Sequence, residues 1–293
     1  MSRSGPSDEA RGGDAVIREG RRSRRFPRLL GLLAGLLLLT LLLPQPRSLA
    51  VMSVSDALNR RQSLMAESGL SVKLPGGLST GKRDWFPKLL CFDAGTGFGS
   101  FAGLPGTRLT VLYNFGSYGF AGHSSLFDPA SPYYSSFYGA YLVRQPEGAF
   151  GFTKEGEPDP AAVALVPEYD FSRLVLFDFG LAPEDFVFDW QLTELSSAVS
   201  LAGFDDWTRF TADLRVNGAA HRASGFVPSY LQYGVPMKAV ADPFAPADLK
   251  GVVYVRYFPA ENVSLFLYGL TADEEALAEC EKNFLQKARI SAE

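Results

Sequence analysis

The chain has 293 residues, 46% of them hydrophobic and 20% charged, and a formal net charge of −4. Disorder is excluded, because a chain this apolar buries enough surface to order itself. The charge is split: residues 1–28 carry eight Arg against four acids, and residues 51–293 carry 19 Lys and Arg against 28 Asp and Glu. A body with a net charge of −9 makes nucleic acid an unexpected partner, since phosphate binding needs clustered cations.

The basic residues 1–28 read as a cytoplasmic n-region. Residues 29–43 follow as LLGLLAGLLLLTLLL, eleven of the fifteen being Leu. Arg21, Arg22, Arg24, Arg25 and Arg28 stand before this run, so the C-terminal body is expected on the outer side of a membrane. A fifteen-residue helix rises only ~22 Å, short of a ~30 Å bilayer core. Pro44 and Pro46 are expected to end the helix. Residues 29–46 are therefore the h-region of a signal peptide, cut after Ser48-Leu49-Ala50, or a retained membrane anchor. The expected location is extracytoplasmic, anchored or secreted.

Residues 47–84 read as a helix and a linker. The helix covers residues 55–68, with Ser55 or Asp56 as cap and Leu58 and Met65 facing inward. Residues 70–84, rich in Gly, Ser and Lys, read as a loop. The remainder, 85–293, is expected to be one extracytoplasmic α+β domain: a mainly antiparallel sheet with a C-terminal helix. A division within 145–170 is the alternative. Strands are expected at 86–93, 108–115, 137–144, 173–179, 185–193 and 209–216. Several show period-2 alternation, as in Phe186, Phe188, Trp190 and Leu192, or Phe210, Ala212, Leu214 and Val216. Asn217-Gly218 predicts a hairpin with 219–227 as return arm. Residues 252–258 and 263–268 predict another around Pro259–Asn262. Thr271-Ala272-Asp273-Glu274 is a capping box for a final helix with Leu277, Cys280, Phe284 and Ala288 on one side.

Residues 113–141 hold ten aromatics in 29 positions. Rings of this kind either fill a core or, exposed, stack on a sugar ring or a protein groove. The candidate ligand-binding residues are Tyr118, Phe120, His123, Tyr133 and Tyr134, and the expected partner is a cell-wall glycan or an envelope protein. On this reading the body is a non-catalytic binding module. One alternative is an envelope hydrolase using His123, Ser124 and Asp128, or His221, although Gly-His-Ser-Ser-Leu lacks the second Gly of a nucleophile elbow. Another is a structural subunit of a membrane-associated assembly. Ser79-Thr80-Gly81-Lys82 has none of the companion motifs that acyl transfer needs. The glycine-rich residues 93–99 read as a turn, with no helix after them to bind a phosphate. Asp205-Asp206 reads as a solvated turn, and Asn262-Val263-Ser264 is a glycosylation sequon.

No cofactor is expected. Two cysteines and two histidines spread along the chain offer too few ligands for a metal site. Cys91 and Cys280 form either one long-range disulfide or two buried thiols.

Overall fold

In the computed structural model, residues 25–42, 44–80, 84–116, 125–220 and 242–292 are described. The leucine-rich run forms helix α1 (Arg25–Leu42). Its uncharged part, residues 29–42, rises about 21 Å. Among the described residues no helix is long and apolar enough to cross a membrane. Leu29, Leu30, Leu32, Leu33, Leu36, Leu37 and Leu38 are all more than half exposed, so no part of the body covers them.

Helix α2 (Pro44–Gln62) follows at once. Pro44 and Pro46 therefore open a helix as well as closing one. In a first turn the N–H that proline lacks has no intrahelical acceptor to lose. Ser55 and Asp56 lie inside α2 and cap nothing. Leu58 points outward, 56% exposed, and Met52 and Leu64 occupy the buried positions. Ser63 ends α2 and caps the short helix α3 (Leu64–Ser68), its hydroxyl accepting from Ala66 N. The expected loop after it contains strand β1 (Leu70–Lys73), which pairs with the C-terminal residues 289–292.

Then come β2 (Leu90–Gly95), the six-residue helix α4 (Gly97–Ala102), β3 (Arg108–Phe115) and β4 (Phe137–Arg144). A short helix thus follows the glycine-rich turn, contrary to expectation. Residues 173–179, expected as a strand, are helical. They belong to a run made of α5 (Pro160–Tyr169), a π-helical turn (Asp170–Val175) and α6 (Leu176–Phe179). Asp159 caps this run, Pro160 opens it, and Gly180 closes it with positive φ. These are the stop and start residues that helices use. The remaining elements are β5 (Phe188–Leu201), β6 (Phe204–Asn217), β7 (Pro246–Phe258), β8 (Val263–Thr271), α7 (Glu274–Asn283) and β9 (Arg289–Ala292). Asp273, one residue inside the expected capping box, caps α7 by accepting from Ala276 N. The helix stops at Asn283, so Ala288 lies beyond it.

Seven strands form one antiparallel sheet in the order β2-β3-β4-β8-β7-β6-β5. Residues 221–227 of the return arm expected after Asn217-Gly218 lie outside the described residues. Asn217 is instead paired with Pro246, the first residue of β7. Its side chain ties the connection, accepting from Val187 N at 2.6 Å and donating to Phe244 O at 3.0 Å.

Both faces of the sheet are covered along most of its width. The α5–π–α6 run and α4 lie on one face, over Leu109, Val111, Tyr141, Phe266, Phe210 and Leu214. On the other face α3 and the β1–β9 ribbon cover Leu112, Ala140 and Leu142. There α7 seats Cys280 and Phe284 against Tyr138 and Trp85.

The β2 edge of the sheet would expose unpaired backbone groups, and α2 satisfies them with side chains. Asp56 Oδ1 accepts from Cys91 N at 2.8 Å, and Asn59 Oδ1 accepts from Asp93 N at 2.9 Å. Arg60 donates to Leu89 O at 3.1 Å and pairs with Asp56 at 2.8 Å. Three residues one helical turn apart thus replace a strand, which blocks the edge to other chains. Asp56→Ala leaves the buried Cys91 N–H without an acceptor, a loss of about 1–3 kcal/mol. Urea unfolding should show this as a lowered midpoint, and the exposed Arg61→Ala should leave the midpoint unchanged. An Asp56→Ala midpoint equal to that of the parent would remove α2 from the stability of the sheet.

Candidate functional site

The aromatic segment divides. Tyr118, Phe120 and His123 lie outside the described residues, as do Ser124 and His221. Tyr113, Phe115, Phe127, Tyr134, Phe137, Tyr138 and Tyr141 are buried. Tyr134 is therefore no ligand contact: its phenol lies so close to Gly218 that a Cβ there would sit 1.9 Å from it. Tyr133 is half-buried, packed edge-on against Trp85 at 5.4 Å, with its hydroxyl 3.5 Å from the Glu279 carboxylate. Asp128 is engaged in its own turn, accepting from Ala130 N at 3.0 Å.

The other sequence candidates are accounted for locally. Cys91 and Cys280 are free and buried. Cys91 is in β2, and Cys280 packs over Gly269 of β8. These strands are three places apart in the sheet, about 14 Å, well beyond the ~7 Å limit for a disulfide. Burial pushes the Cys91 thiol up to about 12, so it is unreactive at neutral pH. Asp206 pairs with Arg256 at 2.5 Å, and Asp205 accepts from Ser200 at 2.6 Å. The sequon Asn262 accepts from Tyr257 and donates to Gln145 O, which occupies its amide. No group of three or more metal-ligating side chains occurs among the described residues.

Two arrangements not foreseen in the sequence stand out. The first is inside. Asp170 opens the π-helical turn, is 4% exposed, and accepts from the Tyr141 hydroxyl at 2.8 Å. Tyr141 stacks on Tyr268 with ring centres 4.1 Å apart and planes at 4°. Room for these rings comes from Gly139, which sits between Tyr113 and Tyr268 in the register. A Cβ at Gly139 would lie 1.8 Å from Leu112 O. Burial raises the Asp170 carboxyl to about 7, against a partial opposing effect of the Tyr141 hydrogen bond. Burial and then the Asp170 charge hold the Tyr141 and Tyr268 phenols well above their ordinary range. A raised carboxyl beneath a π-turn is a common mark of a functional site. Here the adjoining cavity measures only about 10 Å³, about the space of one water.

The second arrangement is outside. Where α7 ends its cover, the β5–β6–β7 strands present an open polar floor. Two rows of directly paired residues cross it: Asp189–Arg215–Asp248 and Gln191–Asp213–Lys250. Arg215 meets Asp248 at 2.9 Å and Lys250 meets Asp213 at 2.8 Å. Gln191 donates to Asp189 at 3.0 Å. They line a groove of about 310 Å³ with Leu214 and Leu249 at its base. Alternation of β5 and β6 placed these polar residues on a wet face in the sequence. That β7 completes the rows is a tertiary fact. The floor offers carboxylate acceptors and cationic donors at strand spacing, a pattern that can hydrogen-bond a polar ligand.

The chain matches no protein-family model, no functionally described protein and no solved structure.

The Asp170 carboxyl binds its proton more tightly in the folded state than in the unfolded one. Its contribution to stability is complete below pH ~4 and is lost as pH rises to about 7, by roughly 4 kcal/mol at most. Unfolding measured at pH 5 and pH 8 should show the parent losing stability across this interval relative to Asp170→Asn. An equal pH dependence in both proteins would show that Asp170 titrates normally.

Proposed function

We propose that this chain is an extracytoplasmic envelope protein whose body is a non-catalytic binding module for an uncharged polar polymer, a glycan, taken on the β5–β6–β7 floor. The observation that carries this reading is the pair of charge-alternating rows across an otherwise uncovered end of the sheet. Acceptors and donors already paired with each other keep the floor near neutrality, which suits hydroxyl-rich ligands better than ions. The exposed leucines of α1 support a membrane-facing N-terminal segment, either as an anchor or as the apolar part of an export signal. Direct succession of α1 and α2 then sets the body close to that segment.

The test is calorimetric titration of wall-derived oligosaccharides into the full chain in a nonionic detergent. Asp213→Ala combined with Lys250→Ala should weaken binding at least tenfold, about 1.4 kcal/mol, with an unchanged circular dichroism spectrum. Absence of binding by any oligosaccharide, or equal binding by the double variant, would reject the floor as a glycan site.

A further inference from the structure

A second surface lies on the β1–β9 ribbon, over β3 and β4 and away from the floor. Lys73 stands directly opposite Arg289 in the register of the ribbon. Lys287 precedes Arg289 by two residues. All three side chains are exposed, and none has an ion-pair partner among the described residues. Several other cations of the body meet acids: Arg60 and Lys88 meet Asp56, Arg108 and Arg144 meet Glu67, and Arg209 meets Glu281. Like charges placed opposite each other across a strand pair repel, and the repulsion is relieved by an anion between them. Here that repulsion is kept within a body of net charge −9. The three cations border a groove of about 580 Å³ whose remaining walls are Leu74, Pro75 and Ala288.

We propose that this ribbon binds a linear polyanion, a chain of successive phosphate or phosphodiester groups. Three cations around one groove are more than a single phosphate neutralises and suit consecutive anionic units. A flat anionic bilayer or a nucleic-acid duplex would bring phosphates against the surrounding acidic surface, where they are repelled. The inference does not depend on the glycan reading, because its residues lie on different strands.

Sodium tripolyphosphate serves as the probe, titrated into the full chain in a nonionic detergent, with melting temperature as a second readout. Tripolyphosphate should bind, raise the melting temperature by several degrees, and lose its effect as salt is added. Arg289→Glu should melt above the parent without the probe, since it converts a repulsive pair into an attractive one, and should bind tripolyphosphate at least tenfold more weakly. Lys73→Glu should behave the same way. The double reversal should fall back to the parent's melting temperature while still failing to bind. No binding at millimolar tripolyphosphate, or equal binding by Arg289→Glu, would overturn the proposal. So would a parent chain that distinguishes phosphatidylglycerol from phosphatidylcholine vesicles but ignores tripolyphosphate.

Discussion

The sheet depends on how its β2 edge is closed. An antiparallel sheet of seven strands has two edges, and each presents backbone groups that must be paired, hydrated or shielded. At β2 the closure comes from Asp56, Asn59 and Arg60, spaced so that one helix face meets alternate outward groups of the strand. This makes α2 part of the body as well as the link to α1. At the opposite edge no described strand pairs with the outer side of β5, and its register with β6 shifts between Leu192 and Glu194, between Ser196 and Val199 and between Val199 and Leu201. Such bulges twist an edge away from further pairing. One edge is thus covered and the other irregular, two solutions to the same problem.

Between these edges the packing is aromatic and layered. Tyr113, Tyr141 and Tyr268 gather around Gly139, where no side chain fits, and the Tyr141 phenol is held beneath the π-turn by Asp170. Burying a carboxyl here costs stability that an amide or an apolar side chain would not. The proton it holds up to about pH 7 limits that cost, and the stability tied to that proton is lost as pH rises from about 4 to about 7. The same packing explains the aromatic segment, whose described rings are nearly all drawn into the two cores.

Charge on the outside is arranged by the strands. On the floor, opposite charges alternate along rows and neutralise each other. On the ribbon, like charges face each other and stay unpaired. The contrast separates a surface suited to hydroxyls from one suited to anions, although both lie on the same side of the sheet. It also shows why net charge is a poor guide here: an acidic body can carry a local basic groove where register brings cations together.

Much of the fold was written in local sequence pattern. Alternation located β3 to the residue and the inward face of β6, although β6 begins at Phe204, five residues before the expected start, because period 2 follows from strand geometry alone. The β7–β8 hairpin and the start of α7 followed from turn and cap residues in the same way. The run 173–179 was misread because a short apolar stretch has no distinguishing period, and its true signals, Asp159-Pro160 and Gly180, lie outside it. What the sequence by itself determined is therefore the class of fold, the inward residues of several strands, and the sharp division of charge and hydropathy between the N-terminal segment and the body. Tertiary structure alone decided that β6 pairs with β7 across an intervening segment, that α2 closes an edge, that Asp170 is buried among tyrosines, and that Lys73 faces Arg289. Each of these joins residues distant in the chain, and their meeting depends on register and packing between elements, which no local pattern encodes.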